Sequence, residues 1–157
     1  NWKLEWMSFI AGKRESRRLI GDLILSELDI NNQVQYPDAC VTTTWGIDLH
    51  YPDPQNSQYY PRNEFLGIAD HNRDFEPYHI PYRCFYSKDI NNLFMAGRNI
   101  SVTHIALGTV RVMQTTGMMG EVVGMAAFLC KKYNCSPRDI YTQHLEKLIQ
   151  LLTAEHN

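Results

Sequence analysis

One histidine and three arginines carry the side chains of this sequence that are best suited to chemistry. His104 follows a polar stretch, and an imidazole with an ordinary pKa of about 6.5 can transfer protons near neutral pH. Arg14, Arg17 and Arg18 can bind a diphosphate or an acidic substrate through forked hydrogen bonds. Two simpler interpretations stay open: a loop histidine that bonds only to backbone, and a solvated basic turn paired with Glu15.

Three glycines, Gly117, Gly120 and Gly124, interrupt a long apolar segment that is predicted to be a helix over residues 110–130. Each glycine inside a helix costs about 1 kcal/mol relative to alanine, so a stripe of three needs a reason. Close approach of a flat ligand is one reason, and tight packing on a neighbouring strand or helix is another. The first turn of such a helix also offers unpaired N–H groups, which favour a partial negative charge.

Asp48 and His50 lie two residues apart in the segment 45–50, which is predicted to be a strand, so their side chains share one face. That spacing suits a metal or an acid–base pair, but we find no third ligand in the sequence and predict no metal site. The four cysteines are expected to be free thiols. Cys130 and Cys135 form the only pair close enough in sequence for a local disulfide.

The composition is that of a soluble globular protein, and the strands and helices predicted along the chain give it a mixed α+β class. The 157 residues are 44% hydrophobic and 20% charged, and the net charge of −2 does not favour nucleic acid binding. Alternation predicts a strand over residues 2–9, and short apolar runs predict strands over residues 19–25 and, buried and parallel, over residues 92–97. Residues 31–81 are expected to be rich in loops. The compartment is left open between cytoplasm and secretion.

Two helices are predicted in the last third of the chain. The segment 110–130 is apolar on nearly every side, which is typical of a helix buried in a core, and its charged residues argue against a membrane span. Ser136, Pro137 and Asp139 form a strong helix start. The apolar residues that follow predict one closing amphipathic helix to about Leu152.

Ordered blocks of the sequence resemble the carboxy-terminal part of FAD-dependent oxidoreductases. The subgroup that it resembles is common in bacterial genomes and often labelled xanthan lyase. Any one block is a weak signal, but the ordered set is specific. The blocks are residues 12–18, 21–22, 45–50, 80–83, 92–101, 103–108, 111–113 and 120–127.

The resemblance implies an α/β fold with two parts. Residues 92–157 would be the carboxy-terminal strand–loop–helix segment of a two-dinucleotide-binding-type FAD domain, and residues 1–91 would be part of the substrate domain. Hydride transfer from an organic substrate to FAD is the activity implied, although the substrate stays unspecified.

Site residues follow from the same resemblance. The turn of Gly97, Arg98 and Asn99 would lie beside the ribityl and diphosphate of FAD, with Arg14 as a further diphosphate ligand. The residues that would lie at the flavin pyrimidine ring are Gly108, Arg111, Val112 and Met113. Arg111 either faces the flavin or caps loop carbonyls. His104 would lie beside the isoalloxazine as the catalytic group, while Tyr82 and Arg83 would line the substrate side.

One feature of such proteins is missing from the sequence. A strand followed by G-x-G-x-x-G normally holds the ADP part of FAD, and no such motif occurs here. We therefore expect a fragment of a longer protein that binds FAD weakly or not at all, with the nucleotide-binding half as its missing partner. Exposed strand edges would favour a homodimer.

Two other functions fit parts of the sequence. A lyase of an acidic polysaccharide would use His104 or Tyr82 as the base and Arg83 to neutralise the carboxylate, but it would leave the glycine stripe unexplained. A non-catalytic association module would use the aromatic middle of the chain. Trp45, Tyr51, Tyr59 and Tyr60 could stack on a sugar ring or simply pack within loops.

Overall fold

The computed structural model describes residues 3–7, 9, 17–51, 68–69 and 76–154. Within these residues the mixed α+β class is confirmed. No helix among them is long and apolar enough to cross a membrane. In chain order the elements are α1 (Glu27–Asn31), β1 (Ala39–Thr43), β2 (His50–Tyr51), β3 (Ile68–Ala69), β4 (Tyr78–Pro81), a 3-10 helix (Tyr82–Cys84), α2 (His104–Val110), α3 (Met113–Tyr133), α4 (Pro137–Gln143) and α5 (Leu145–Ala154).

β1 and β4 pair antiparallel and form one wall of the core. Val41 lies opposite Ile80 and Thr43 opposite Tyr78, and all four side chains are buried. α3 packs on β1, so this wall positions the long helix. Neither strand was predicted, because strands of five and four residues give too short an alternation to stand out from the loops around them.

Residues 92–97 do not form the buried parallel strand predicted for them. They make a single antiparallel bridge, from Phe94 to Tyr86. The Ser87 N–H donates to the Leu93 carbonyl at 2.9 Å, and the Met95 N–H donates to Phe85 at 2.7 Å. A strand needs a partner that runs along its length. Among the described residues, the partner of this segment is only the short stretch 85–87.

Three other strand predictions are also wrong for the residues described. Residues 19–25 make one parallel bridge, between Leu25 and Val102. Residues 45–49 and 3–7 are irregular. Apolar alternation indicates which side chains can be buried, but pairing depends on a partner segment that lies far away in the sequence.

α3 is 21 residues long and is packed on one face only. The prediction of a helix here is confirmed, although the helix starts after Val112 because Val110 ends α2. The expectation of burial on all sides is wrong in the described part of the chain, since Phe128 is 57% exposed. The buried residues of α3 are Thr115, Met119, Val122, Ala126 and Leu129.

The helix start at Ser136 is confirmed. The Ser136 hydroxyl accepts from the Asp139 N–H, and the Asp139 carboxylate accepts from the Ser136 N–H at 2.8 Å, which together form a capping box. The single closing helix predicted here is in fact two helices, α4 and α5, because the backbone breaks at His144, where φ is −131°. Leu148 anchors α5 in the core.

Candidate functional site

The turn formed by Gly97, Arg98 and Asn99 is shaped by its glycine. Gly97 has a φ of 81°, in the left-handed region that residues with a side chain rarely adopt. Its N–H lies 3.3 Å from the sulfur of Met119, so the turn lies against α3. The Asn99 carbonyl accepts from the Leu19 N–H at 3.0 Å. The exposed side chain of Arg98 is therefore held beside α3 by a fixed backbone.

Arginines from near the amino terminus run along this turn. The Arg18 Nε donates to the Val102 carbonyl at 3.0 Å, and Arg17 beside it is exposed. Arg17 and Arg98 are thus exposed, and a guanidinium suits a diphosphate. Arg14, predicted to join them, lies outside the described residues.

α2 and α3 meet at a two-residue junction, Arg111 and Val112. Val112 caps α3 and its side chain makes no capping hydrogen bond. The first-turn N–H groups of α3 have no partner within the helix, and Met113 there is 89% exposed. The positive end of the α3 dipole therefore lies at a surface where a partially negative group can bind.

Arg111 holds the preceding loop against this junction. Its guanidinium donates to the Asp48 carbonyl at 3.2 Å and lies 3.8 Å from the Asp48 carboxylate. Of the two roles considered for Arg111, the contact observed is the one with a loop carbonyl.

Gly108 brings the same loop onto α2. A Cβ at this position would lie 2.6 Å from the Asp48 carbonyl oxygen and 3.1 Å from the Leu49 side chain. The hydroxyls of Tyr78 and Thr109 hydrogen-bond to each other and to the Trp45 carbonyl. Because a Cβ would clash with the backbone of the loop, the packing of the loop on α2 is sufficient to explain a glycine at this position.

A cavity of about 180 Å³ lies between the loop and the amino end of α3. The Thr115 hydroxyl donates to the Thr43 hydroxyl at 3.2 Å across its floor. Ligand pockets usually have volumes of roughly 300–1,000 Å³, so this cavity suits a ring edge or a small substrate group. Its lining residues are Thr42, Thr43, Thr44, Trp45, Pro77, Val112, Gln114, Thr115 and Met118.

The glycine stripe of α3 is not filled by the described part of the chain. A Cβ built on Gly117, Gly120 or Gly124 would meet no atom within 4 Å, and all three residues are exposed. Their face of α3 continues with the exposed residues Ala127 and Phe128. Tight packing within the described residues therefore does not explain the stripe.

His104 lies at the other end of α2 from the α3 junction. It is the first residue of α2 and is exposed. Thr103 before it caps the helix and donates to the Glu27 carboxylate at 2.9 Å. Seven helical residues rise about 10 Å, so His104 and Arg111 are separated by the length of α2.

Tyr82 and Arg83, predicted to line the substrate side, are held by protein groups. Tyr82 is fully buried and its hydroxyl donates to the Pro137 carbonyl at 2.8 Å, so it has no exposed atom for a substrate to contact. The Arg83 guanidinium donates twice to Asp38, each time at 2.9 Å. These bonds raise the pKa of Arg83. Tyr141 flanks the guanidinium, 5.0 Å away.

The pair of Asp48 and His50 gains no third ligand among the described residues. These residues contain no group of three or more histidine, cysteine, aspartate or glutamate side chains placed to hold a metal. The side chain of His50 and the residues Tyr59 and Tyr60 lie outside what the structure describes.

Comparison with known proteins decides the family. The family model for FAD dependent oxidoreductase matches residues 1–149. The chain belongs to this family. FAD is therefore the cofactor implied, and oxidation–reduction is the class of activity. No curated protein and no solved structure matches the chain significantly.

The described residues fit a flavin dinucleotide in three respects. The family's cofactor has a flat ring, and the α3 stripe leaves open space where side chains would otherwise stand. The cofactor carries a partially negative ring edge, and α3 begins without a side-chain cap. It also carries a diphosphate, and the Gly97 turn holds the exposed Arg98 beside α3.

Sequence reasoning missed two sets of residues. One is the run Thr42, Thr43 and Thr44, which lines the cavity and would have been found from its β-branched side chains. The other is Asp38, which neutralises Arg83 from 45 residues away and carried no local signal.

Proposed function

We propose that this chain supplies the flavin-closing segment of an enzyme that transfers hydride from an organic substrate to FAD. The observation that carries the proposal is the amino end of α3, which has no side-chain cap and borders a small polar cavity. When bound, the flavin would accept the hydride. Everything else in the proposal concerns what the residues of this chain do.

The amino end of α3 is proposed to stabilise negative charge. The N–H groups of Met113 and Gln114, together with the helix dipole, favour an anionic ring edge over a neutral one. Val112, which lines the cavity, would bring the same backbone to the pyrimidine ring. Arg111 would act by holding the loop at Asp48, in which Trp45 lines the cavity.

The turn at Gly97 is proposed to bind the diphosphate and ribityl. Arg98 would pair with phosphate oxygens, and Asn99 would hydrogen-bond to hydroxyls. Arg14, in the basic segment of residues 12–18, is proposed as a further phosphate ligand. His104 is proposed to exchange a proton with the substrate, because it is exposed at the start of α2.

The open face of α3 is proposed to pack against the nucleotide-binding half of the intact protein. Gly120 and Gly124 allow a backbone or a flat ring to approach closely, and the exposed Phe128 would be covered at the same time. Residues 92–157 would then be the flavin-closing part and residues 1–91 part of the substrate region.

The lyase alternative has less support. It requires Tyr82 or His104 as base and a free arginine beside it, yet Tyr82 is buried and Arg83 is paired with Asp38. Because two of the three residues cast in those roles are held by other protein groups, we propose the oxidoreductase alone.

A pair of isosteric variants tests the proposal in the intact protein. Gln114→Glu adds a carboxylate at the amino end of α3, where it would repel the anionic ring edge. Gln150→Glu adds the same charge on α5 and is the matched control. We expect Gln114→Glu to bind FAD about fivefold more weakly, as measured by flavin fluorescence titration. The affinity of the control should be unchanged. Equal FAD affinities in the two variants would show that the amino end of α3 does not bind the flavin.

A further inference from the structure

Cys130 and Cys135 are brought together by the way α3 ends. Asn134 adopts the left-handed conformation with φ of 52°, and the Cys135 N–H donates to the Cys130 carbonyl at 3.0 Å. This is the bond of a Schellman motif, in which the side chains at these two positions frequently contact each other. The positions that usually hold an apolar contact here hold two thiols.

Burial raises the pKa of both thiols, that of Cys130 to about 11, and the nearby Asp139 carboxylate adds to the effect. The Cys135 thiol adds to the rise in the pKa of Cys130, whereas the Cys130 thiol offsets part of the rise in the pKa of Cys135. Of the pair, Cys135 is therefore the better nucleophile.

The other two cysteines are placed differently. Cys84 is fully buried and donates to the Leu23 carbonyl, while Cys40 donates to the Ile80 carbonyl, each at 3.5 Å. Cys40, Cys130 and Cys135 are all partly buried, but only Cys130 and Cys135 are brought together by the backbone at the end of α3, where a small reagent can reach them. Lys131 and Lys132 between them would attract an anionic one.

We propose that Cys130 and Cys135 form a dithiol site that low-molecular-weight disulfides convert to an intramolecular disulfide at the α3–α4 junction. The Cys135 thiolate attacks one sulfur of glutathione disulfide, which forms a mixed disulfide and releases one glutathione thiolate. Cys130 then loses its proton to solvent and attacks the Cys135 sulfur, which releases the second glutathione. The two protein thiols are oxidised by two electrons, and glutathione disulfide is reduced to two thiols, which take up the two protons.

The sequence offers a direct readout, because trypsin cuts between the two cysteines. Cleavage after Arg111, Lys131, Lys132 and Arg138 separates a peptide of residues 112–131 from one of residues 133–138. After incubation of the intact chain with glutathione disulfide, and digestion without reductant, we expect these two peptides to be joined and to separate on reduction.

Two variants and a melting experiment complete the test. Cys135→Ala should abolish the joined peptide, whereas Cys40→Ser should leave it unchanged. Oxidation should raise the Tm of the parent chain by about 5 °C, because the disulfide closes a short loop, and should not raise that of Cys135→Ala. A stable glutathione adduct on Cys135 without transfer, or a joined peptide that contains Cys40 or Cys84, would overturn the proposal.

Discussion

Two groups of glycines in this molecule have opposite surroundings. At Gly21 and Gly108, an added methyl would meet backbone atoms of the chain itself, at 2.3 Å and 2.6 Å. At Gly117, Gly120 and Gly124, it would meet nothing within 4 Å among the described residues. The first group is explained by the packing of this chain. The second has no packing partner among the described residues.

The largest effect is expected for Gly21→Ala. The new methyl would lie 2.3 Å from the Arg83 carbonyl oxygen and 3.1 Å from that of Tyr86, and neither backbone group can move without disturbing the core. We expect a loss of about 3 kcal/mol in the free energy of unfolding, measured by urea denaturation. A loss below 0.5 kcal/mol, roughly that of a surface substitution, would show that this packing is loose.

A smaller loss is expected for Gly108→Ala. The methyl would push the loop at Asp48 away from α2, but alanine also favours the helix by about 1 kcal/mol. The net loss should be about 2 kcal/mol in urea denaturation. Ala106→Gly, at a buried position on the same helix, is the matched control for helix propensity.

The sign should reverse for Gly120→Ala. With no atom near the new methyl, only helix propensity acts, and the chain should gain about 0.5–1 kcal/mol in the free energy of unfolding. In the intact protein the same substitution should weaken flavin retention, because the methyl would occupy the space proposed for close approach. A loss of stability in the chain alone would contradict the open surroundings of the stripe.

The smallest effect concerns pH and the segment next to Gly21. The Arg138 guanidinium, bonded at 2.7 Å, lowers the pKa of Asp22 below its ordinary 3.8. The Asp22 carboxylate therefore contributes its full stabilisation above pH 3.8, the ordinary pKa that it has in the unfolded chain. This stabilisation is lost as the pH falls through the lower pKa of Asp22 in the folded chain. Acid unfolding of Asp22→Asn should lack this step, while Asp89→Asn, at an exposed carboxylate, should keep it.

The helix ends show how far local sequence can predict structure. Ser136 and Asp139 were predicted to start a helix, and they form the capping box observed there. The break at His144 was not predicted, because the apolar period continues through it to α5. β1 and β4 were missed for a related reason. Thr42 and its partner His79 are 37 positions apart in the sequence, although they are neighbours in the sheet.

The candidate site divides in the same way. The resemblance over ordered blocks predicted the family, and the family model confirms it. The substrate contacts predicted for Tyr82 and Arg83 came from their position in a motif, whereas the structure buries one and pairs the other with Asp38. The roles of His104, Arg98 and the amino end of α3 stay predictions.

By itself, the sequence determined the family, the start of α4, and the presence of a glycine stripe on one helix face. These follow from hydrogen bonds and side-chain spacings that close within one or two helical turns. Only the tertiary structure decided which face of α3 is packed, which glycines have backbone against them, and which carboxylate neutralises Arg83. Those outcomes depend on segments far apart in the chain, because contact between them is set by how the whole core fills space.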